Sequence, residues 1–196
     1  MFDQYAKDNV IETKPIDQVT PDFICNLNPL KVVPKDEHEV RPVLNCTSSH
    51  LNEALAPHGM DLPSILNFLC QTTTTNGTFG KRDFRHGFFH CTIKPEFRKY
   101  LGFKYPNKEN EVWGRFIALA FGLSQSPARF QELTKTFTQI LIQELKNLGI
   151  QDTVLSIFVD DLGVYSTFDM NTLFEIANDL ADVLGMVFKT TKDEVD

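Results

Sequence analysis

Two adjacent acids between two short β-prone runs, within residues 156–165, constrain the fold of this chain more than any other feature. Neighbouring side chains on a strand face opposite sides of a sheet, so Asp160 and Asp161 can approach one ion only if a turn separates the runs. The segment therefore predicts a β-hairpin with carboxylates at its tip, which is the geometry of a metal site. The alternative is a polar turn that binds nothing, because Asp is a common turn residue. A third acid on a neighbouring strand would favour the metal site.

Asp83 is the candidate for that third acid. It lies near the end of residues 78–84, which are predicted to form a strand. If this strand lies beside the hairpin, Asp83, Asp160 and Asp161 share one edge of a sheet. Two magnesium ions about 4 Å apart fit such an edge, because Mg²⁺ binds carboxylate and phosphate oxygens during phosphoryl transfer. Taken alone, Asp83 is better explained as a turn or helix-capping acid.

Helical periodicity is clearest in residues 127–148, where apolar side chains recur every three or four positions. Ser126 suits the N-cap, Pro127 suits the first turn and Gly149 suits the C-terminal stop. A second amphipathic helix is predicted for residues 171–184. Together with the predicted strands, this order favours an α+β fold in which an antiparallel sheet packs on helices.

The two ends of the chain differ from its middle. Residues 1–28 contain scattered prolines and weak periodicity, which predicts a loosely ordered lead-in. The structured domain is expected over residues 29–193, beginning with a hairpin around the charged turn at residues 35–39. Residues 194–196 are predicted to form an acidic tail. The length fits one domain or two closely associated subdomains.

Composition limits the partners of the chain. Its formal net charge of −7 argues against a uniformly basic surface for nucleic acid. Many basic residues lie in the first 104 positions, however, so a local basic cleft is compatible with the sequence. No apolar run approaches the ~20 residues that a membrane span needs, and the four cysteines form no CxxC pair. We therefore expect an intracellular protein, cytoplasmic or nuclear, with reduced thiols and no membrane partner.

Five short segments in a fixed order carry a more specific signal. They are Arg41 to Asn45 with Leu51-Asn52, Asp83 with Gly87-Phe88, the Phe-Gly-Leu segment at 121–131, Phe158 to Asp161, and the Leu-Gly segment at 184–192. In this order they resemble the motifs of reverse transcriptases, and the resemblance covers about residues 29 to 193. The segment at residues 90–103 and the Phe-Gly-Leu-Ser motif look most similar to those of retrotransposons of the DIRS type. The fold implied is the palm and fingers of the polymerase right hand, without a thumb.

The resemblance implies the core of an RNA-directed DNA polymerase from a retrotransposon polyprotein. Such an enzyme adds deoxynucleotides from their triphosphates to a primer 3′ end on an RNA or DNA template, by two-metal nucleotidyl transfer. Mg²⁺ is the implied cofactor, with Mn²⁺ as a substitute, and thumb and RNase H regions would follow in a longer polyprotein. The catalytic residues implied are Asp83, Asp160, Asp161 and Lys192. The metal set implied is Asp83, Phe84, Asp160 and Asp161. Lys192, or the nearby Lys189, would protonate the leaving pyrophosphate.

The resemblance also implies contacts with nucleotide and template. The nucleotide-binding residues are Lys35, Arg41, Phe84, Arg85, His86, Gly87 and Phe88. Gly87 permits close approach because it has no Cβ. Phe88 resembles an aromatic gate that excludes a 2′-hydroxyl, and the alternative is a core aromatic. The template and primer residues are Phe121, Gly122, Gln125 and Ser126.

Two other functions compete with this interpretation. The first is a non-catalytic, truncated or co-opted reverse-transcriptase-like domain that acts in binding or assembly. The short length and acidic charge favour it, whereas three intact acids oppose it. The second is an unrelated metal-dependent phosphohydrolase, which would need spaced clusters of histidines, and the sequence groups only His86 with His90. Arg82, Ala120 and Asn45 depart from the family pattern, but none of these departures removes a metal ligand.

Overall fold

The computed structural model describes residues 2–35, 40–72, 76–106, 111–189 and 194–195. The helices in this part of the chain are α1 (Phe2–Lys7), α2 (Leu51–Ala54), α3 (Ile65–Gln71), α4 (Pro95–Arg98), α5 (Ser126–Asn147) and α6 (Met170–Val183). The strands are β1 (Ile11–Pro15), β2 (Leu30–Pro34), β3 (Val40–Leu44), β4 (Thr78–Asp83), β5 (Gly102–Pro106), β6 (Glu111–Phe116), β7 (Thr153–Phe158), β8 (Asp161–Ser166) and β9 (Glu194–Val195). Helices and antiparallel sheets therefore make up the fold, as expected for the α+β class.

The chain divides into two compact units, and each unit is assembled from two separate segments. The first contains Met1–His58 and Phe88–Ser126, and the second contains Gly59–Gly87 and Pro127–Asp196. Among the described residues, no helix combines the length and apolarity needed to cross a membrane. The four cysteines are free, as expected, although only Cys46 is buried.

The first unit contains a three-stranded sheet, with β6 between β1 and β5, and the hairpin of β2 and β3. This hairpin confirms the strands predicted around the charged turn, although turn residues 36–39 lie outside the described part of the chain. Phe103 on β5 and Phe116 on β6 are fully buried in the core of this unit, with ring centroids 5.3 Å apart. Alternate residues of a strand face one side of its sheet, so a few strand positions supply most of this core.

Residues 2–15 form α1 and β1 and pack against this core, whereas the sequence predicted a loosely ordered lead-in over residues 1–28. Ile11 is 2% exposed and pairs with Phe116 in the β1–β6 ladder. The Phe2 ring of α1 lies 5.7 Å from the Phe103 ring, measured between centroids. On β1, Glu12 Oε2 accepts hydrogen bonds from Arg115 Nε at 2.9 Å and from Arg115 Nη2 at 2.7 Å. The sequence pattern missed β1 because the strand is short and its partner lies about a hundred positions later in the chain.

The second unit contains a four-stranded antiparallel sheet in the order β7-β8-β4-β9. Helices α5 and α6 cover one face of it. A Cβ at Gly80 would meet Phe174 of α6, and the buried guanidinium of Arg82 lies 4.4 Å from the same ring. The Phe84 ring, two residues further on, meets the Phe137 ring of α5 at 5.4 Å. Residues 80, 82 and 84 thus face the helices, and Lys81 and Asp83 face the opposite side.

The predicted ends of the long helices are largely confirmed. Gly149 and Gly185 follow α5 and α6 with φ of 78° and 70°, the left-handed conformation that stops a helix. Ser126 is not an N-cap, because it is the first residue of α5 and its buried Oγ donates to the Ala120 carbonyl at 2.8 Å. Within the predicted acidic tail, Glu194–Val195 pair with β4 as strand β9.

Candidate active site

The hairpin of β7 and β8 confirms the turn that the adjacent acids predicted. Phe158 pairs with Asp161, which leaves Val159 and Asp160 as a two-residue loop. Val159 has a φ of 58°, and Asp160 does not have a positive φ. This is the pattern of a type II′ turn, in which the first central residue is usually glycine. A β-branched residue in this region is strained, and no local sequence pattern indicates this strain.

The three acids lie at the same end of the second unit's sheet. Asp83 on β4 is the register partner of Asp161 on β8. The Phe84 N–H donates to the Asp160 carbonyl at 3.0 Å, which fixes the turn beside the end of β4. The sequence prediction that Asp83 and the hairpin share an edge is therefore confirmed. Like charges directly opposite each other repel, so this edge needs cations nearby.

Two lysines of the second unit supply positive charge to these acids. Lys189 Nζ forms a hydrogen-bonded ion pair with Asp83 Oδ2, and the two side chains are 24% and 14% exposed. Lys81 Nζ lies 3.1 Å from Asp161 Oδ1 in a more exposed pair. Lys81 precedes Asp83 by two positions on one strand face, and this spacing is the signal that could have identified it. Lys192 lies outside the described residues.

Asp83 retains an unsatisfied oxygen. Its Oδ1 is buried and has no hydrogen-bond partner among the residues that the structure describes. Such an atom is costly to bury, and a bound cation would remove the cost. Carboxylate oxygens are also the ligands that Mg²⁺ prefers. The donor chemistry therefore fits a hard divalent cation, although within the described ranges no three His, Cys, Asp or Glu side chains form a ready-made metal cluster.

The carboxyl group of Asp160 lies in an environment that disfavours its ionised form. Burial raises the pKa of its carboxyl group, and the negative charges of Asp83 and Asp161 raise that pKa further. Lys189 acts in the opposite direction and lowers the pKa of Asp160. Ionisation of the Asp160 carboxyl group is therefore unfavourable in the folded protein. An additional cation near this group would favour its ionised form.

The loop after β4 places its residues in different environments. The Phe84 side chain is 1% exposed and stacks on Phe188 at 4.1 Å, so only its backbone is available to a ligand. Arg85 and His86 are exposed, and His86 has a φ of 60°. A Cβ at Gly87 would lie 3.3 Å from Phe130, so a larger residue there would press on α5.

The remaining predicted site residues lie in the first unit. The Phe121 ring contacts Phe88 at 4.7 Å and the Arg41 guanidinium at 4.2 Å. Phe121, a predicted template-binding residue, thus contacts two predicted nucleotide-binding residues, Phe88 and Arg41. Lys35 is exposed just after β2. Gln125 donates to the Ala56 carbonyl at 2.7 Å.

Gly122, beside this cluster, is fixed by backbone geometry. It has a φ of 97°, and a Cβ there would lie 1.8 Å from the Leu44 carbonyl oxygen. Only glycine fits, because a side chain would collide with backbone. The Leu44 N–H also donates to the Phe121 carbonyl at 2.8 Å, which ties β3 to this turn.

Comparison with known families agrees with the motifs and the fold. The family model described as reverse transcriptase (RNA-dependent DNA polymerase) matches residues 33–194. The chain therefore belongs to the reverse transcriptase family, and its helices and antiparallel sheets are compatible with such a domain. A search of curated proteins gave no match.

Proposed function

We propose that this chain is the catalytic core of an RNA-directed DNA polymerase. It adds deoxynucleotides to a primer 3′ end on an RNA or DNA template by two-metal nucleotidyl transfer. The observation that carries the proposal is the placement of Asp83, Asp160 and Asp161 at one end of a sheet, with the buried Oδ1 of Asp83 unsatisfied among the described residues. Family membership supports it.

The second unit supplies the groups that hold the metal. Asp83 and Asp160 are the proposed principal ligands of Mg²⁺ or Mn²⁺, with Asp161 and the backbone of Phe84 completing the protein's share. The bound ions would neutralise phosphate charge and stabilise the attacking and leaving oxygens. Lys189 balances the charge of Asp83 in their absence.

The remaining residues bind the substrates in this proposal. Lys35 and Arg41, with Arg85, His86 and Gly87, hold the triphosphate. Phe88 lies under the sugar, and its contact with Phe121 supports a fixed ring position. Phe121, Gly122, Gln125 and Ser126 contact template and primer, and Lys192 protonates the pyrophosphate.

The wider context is also part of the proposal. The motifs favour a palm-and-fingers architecture and an origin in a retrotransposon, with the DIRS type as the specific prediction. A polyprotein of this kind would provide a thumb and an RNase H region, and it would act inside the cell.

Primer extension tests the activity directly. A labelled primer on RNA and DNA templates is incubated with deoxynucleoside triphosphates and Mg²⁺ or Mn²⁺, using the wild type, Asp160→Asn and Asp182→Asn. Asp182 is an exposed residue of α6 and gives a matched control. We expect extension by the wild type and the control, and background signal for Asp160→Asn.

Two outcomes would contradict the proposal. Extension that survives Asp160→Asn would remove the metal-ligand assignment. If the wild type binds the primer and template but does not extend the primer with Mg²⁺ or with Mn²⁺, the chain is instead a non-catalytic binding domain.

A further inference from the structure

Gln131 of α5 connects that helix to the tip of the acid-bearing hairpin within the second unit. The side chain is 2% exposed. Its Nε2 donates to the Ile157 carbonyl at 3.0 Å, and its Oε1 accepts from the Val159 N–H at 2.5 Å. One partner is a carbonyl and the other an N–H, so only one orientation of the amide satisfies both. Gln131 therefore holds the backbone on both sides of Phe158.

The backbone that it holds is the strained part of the turn. Val159 has a φ of 58°, a conformation that β-branched residues rarely adopt. Such conformations persist only when the surrounding structure fixes them. The bond from the Val159 N–H to Gln131 is a contact of this kind, and it acts on the residue that immediately precedes Asp160.

The anchor for this contact is rigid. Phe130, next to Gln131 on α5, is fully buried and meets the Phe84 ring at 6.1 Å. Thr134, one turn later, is also fully buried and donates to the Gln131 carbonyl. The helix therefore cannot follow the hairpin if the turn relaxes, and the position of the turn depends on the amide.

We propose that Gln131 is a positioning residue that keeps Val159 at its positive φ and thereby directs the Asp160 carboxylate. The inference rests on the proposed function, because Gln131 acts on the reaction only through Asp160. Loss of groups that orient metal ligands typically costs about 10-fold to 100-fold in activity or metal affinity. The amide of Gln131 has this orienting role for the turn.

The test compares Gln131→Met with Gln143→Met. Methionine keeps the length of the side chain but removes both hydrogen bonds. Gln143 is exposed on the same helix, so it controls for the substitution itself. We expect Gln131→Met to slow primer extension about 10-fold to 100-fold at unchanged helix content, and to speed hydrogen exchange of the Val159 amide. The control should change neither quantity.

A second substitution separates positioning from general packing. Val159→Gly lets the turn adopt a positive φ without strain, because glycine has no Cβ. In the Gln131→Met background it should restore part of the lost extension rate. A loss of rate without faster Val159 exchange, or with no recovery from Val159→Gly, would overturn the proposal. If Gln131→Met does not fold, folding of the double variant supports the clamp and its failure overturns it.

The exchange measurement also keeps the two proposals distinguishable. If the wild type extends no primer, the proposed function fails. Protection of the Val159 amide in the wild type and its loss in Gln131→Met would still confirm the clamp. Equal exchange in the two proteins would overturn it whatever the polymerase assay shows.

Discussion

The ion pair between Lys189 and Asp83 should be a major source of stability at the acidic edge. Replacing Lys189 by Met leaves the Asp83 carboxylate largely buried without its cation. Removing one partner of a buried pair costs about 3–5 kcal/mol. Because Lys189 is 24% exposed, water can partly replace it, and we expect about 2–3 kcal/mol. Folded domains have a free energy of unfolding of about 5–15 kcal/mol, so a loss of this size is substantial.

A double-mutant cycle isolates the pair itself. The four proteins are the wild type, Lys189→Met, Asp83→Asn and the double variant, unfolded by urea in EDTA and followed by circular dichroism. The backbone bond from the Lys189 N–H to the Asp83 carbonyl, 2.8 Å long, remains in all four. Hydrogen bonds to charged groups contribute about 1.5–3 kcal/mol, which is the coupling energy that we expect.

The neighbouring pair provides a matched control. Lys81 and Asp161 have side chains that are 51% and 42% exposed, and exposed pairs contribute about 0–1 kcal/mol. Salt should weaken the coupling of this pair more than that of Lys189 and Asp83. A coupling energy between Lys189 and Asp83 no larger than that of the exposed pair would contradict this expectation.

Two further predictions concern backbone geometry and pH. Gly122→Ala should lower the urea midpoint far more than Gly149→Ala. Alanine at either site costs about 1–2 kcal/mol because φ is positive, but only the Cβ added at Gly122 also collides with backbone. Equal losses would contradict this. Asp160→Asn should stabilise the protein in EDTA as pH rises, because the raised pKa makes ionisation of Asp160 cost folded-state stability above the ordinary carboxyl range. A gain that is constant across pH, measured by urea unfolding, would contradict the assigned pKa direction.

Local signals explain what the sequence predicted well. The hairpin at Asp160 and Asp161 and the ends of α5 and α6 depend on turn residues, periodicity and glycine stops within a few positions. The placement of Asp83 beside this hairpin was predicted because residues 78–84 have the pattern of a strand that ends in an acid. Such a strand can join the hairpin in one sheet. The family motifs then placed the remaining candidate residues along the chain.

Non-local contacts explain what the sequence did not predict. Strand β1 forms because β6 supplies its partner, which no local pattern can indicate. Serine is a favoured N-cap residue, but the hydroxyl of Ser126 donates a hydrogen bond to the carbonyl of Ala120, six residues earlier. The clamp by Gln131 depends on an unusual φ at Val159, and polar residues within an amphipathic helix normally indicate a solvent-facing side.

The position of β4 in its sheet has a consequence for synthesis of the protein. This strand pairs on one side with β8 and on the other with β9, and both follow it in the chain. At 5–20 residues per second, the ~80 residues from β4 to β8 take roughly 4–16 s to translate. During that interval the two edges of β4 have no partner from their own sheet, and exposed edges promote aggregation. Lys81, Arg82 and Asp83 place three successive charges on this strand, so Lys81 and Asp83, which later serve the acidic edge, also protect the nascent chain together with Arg82.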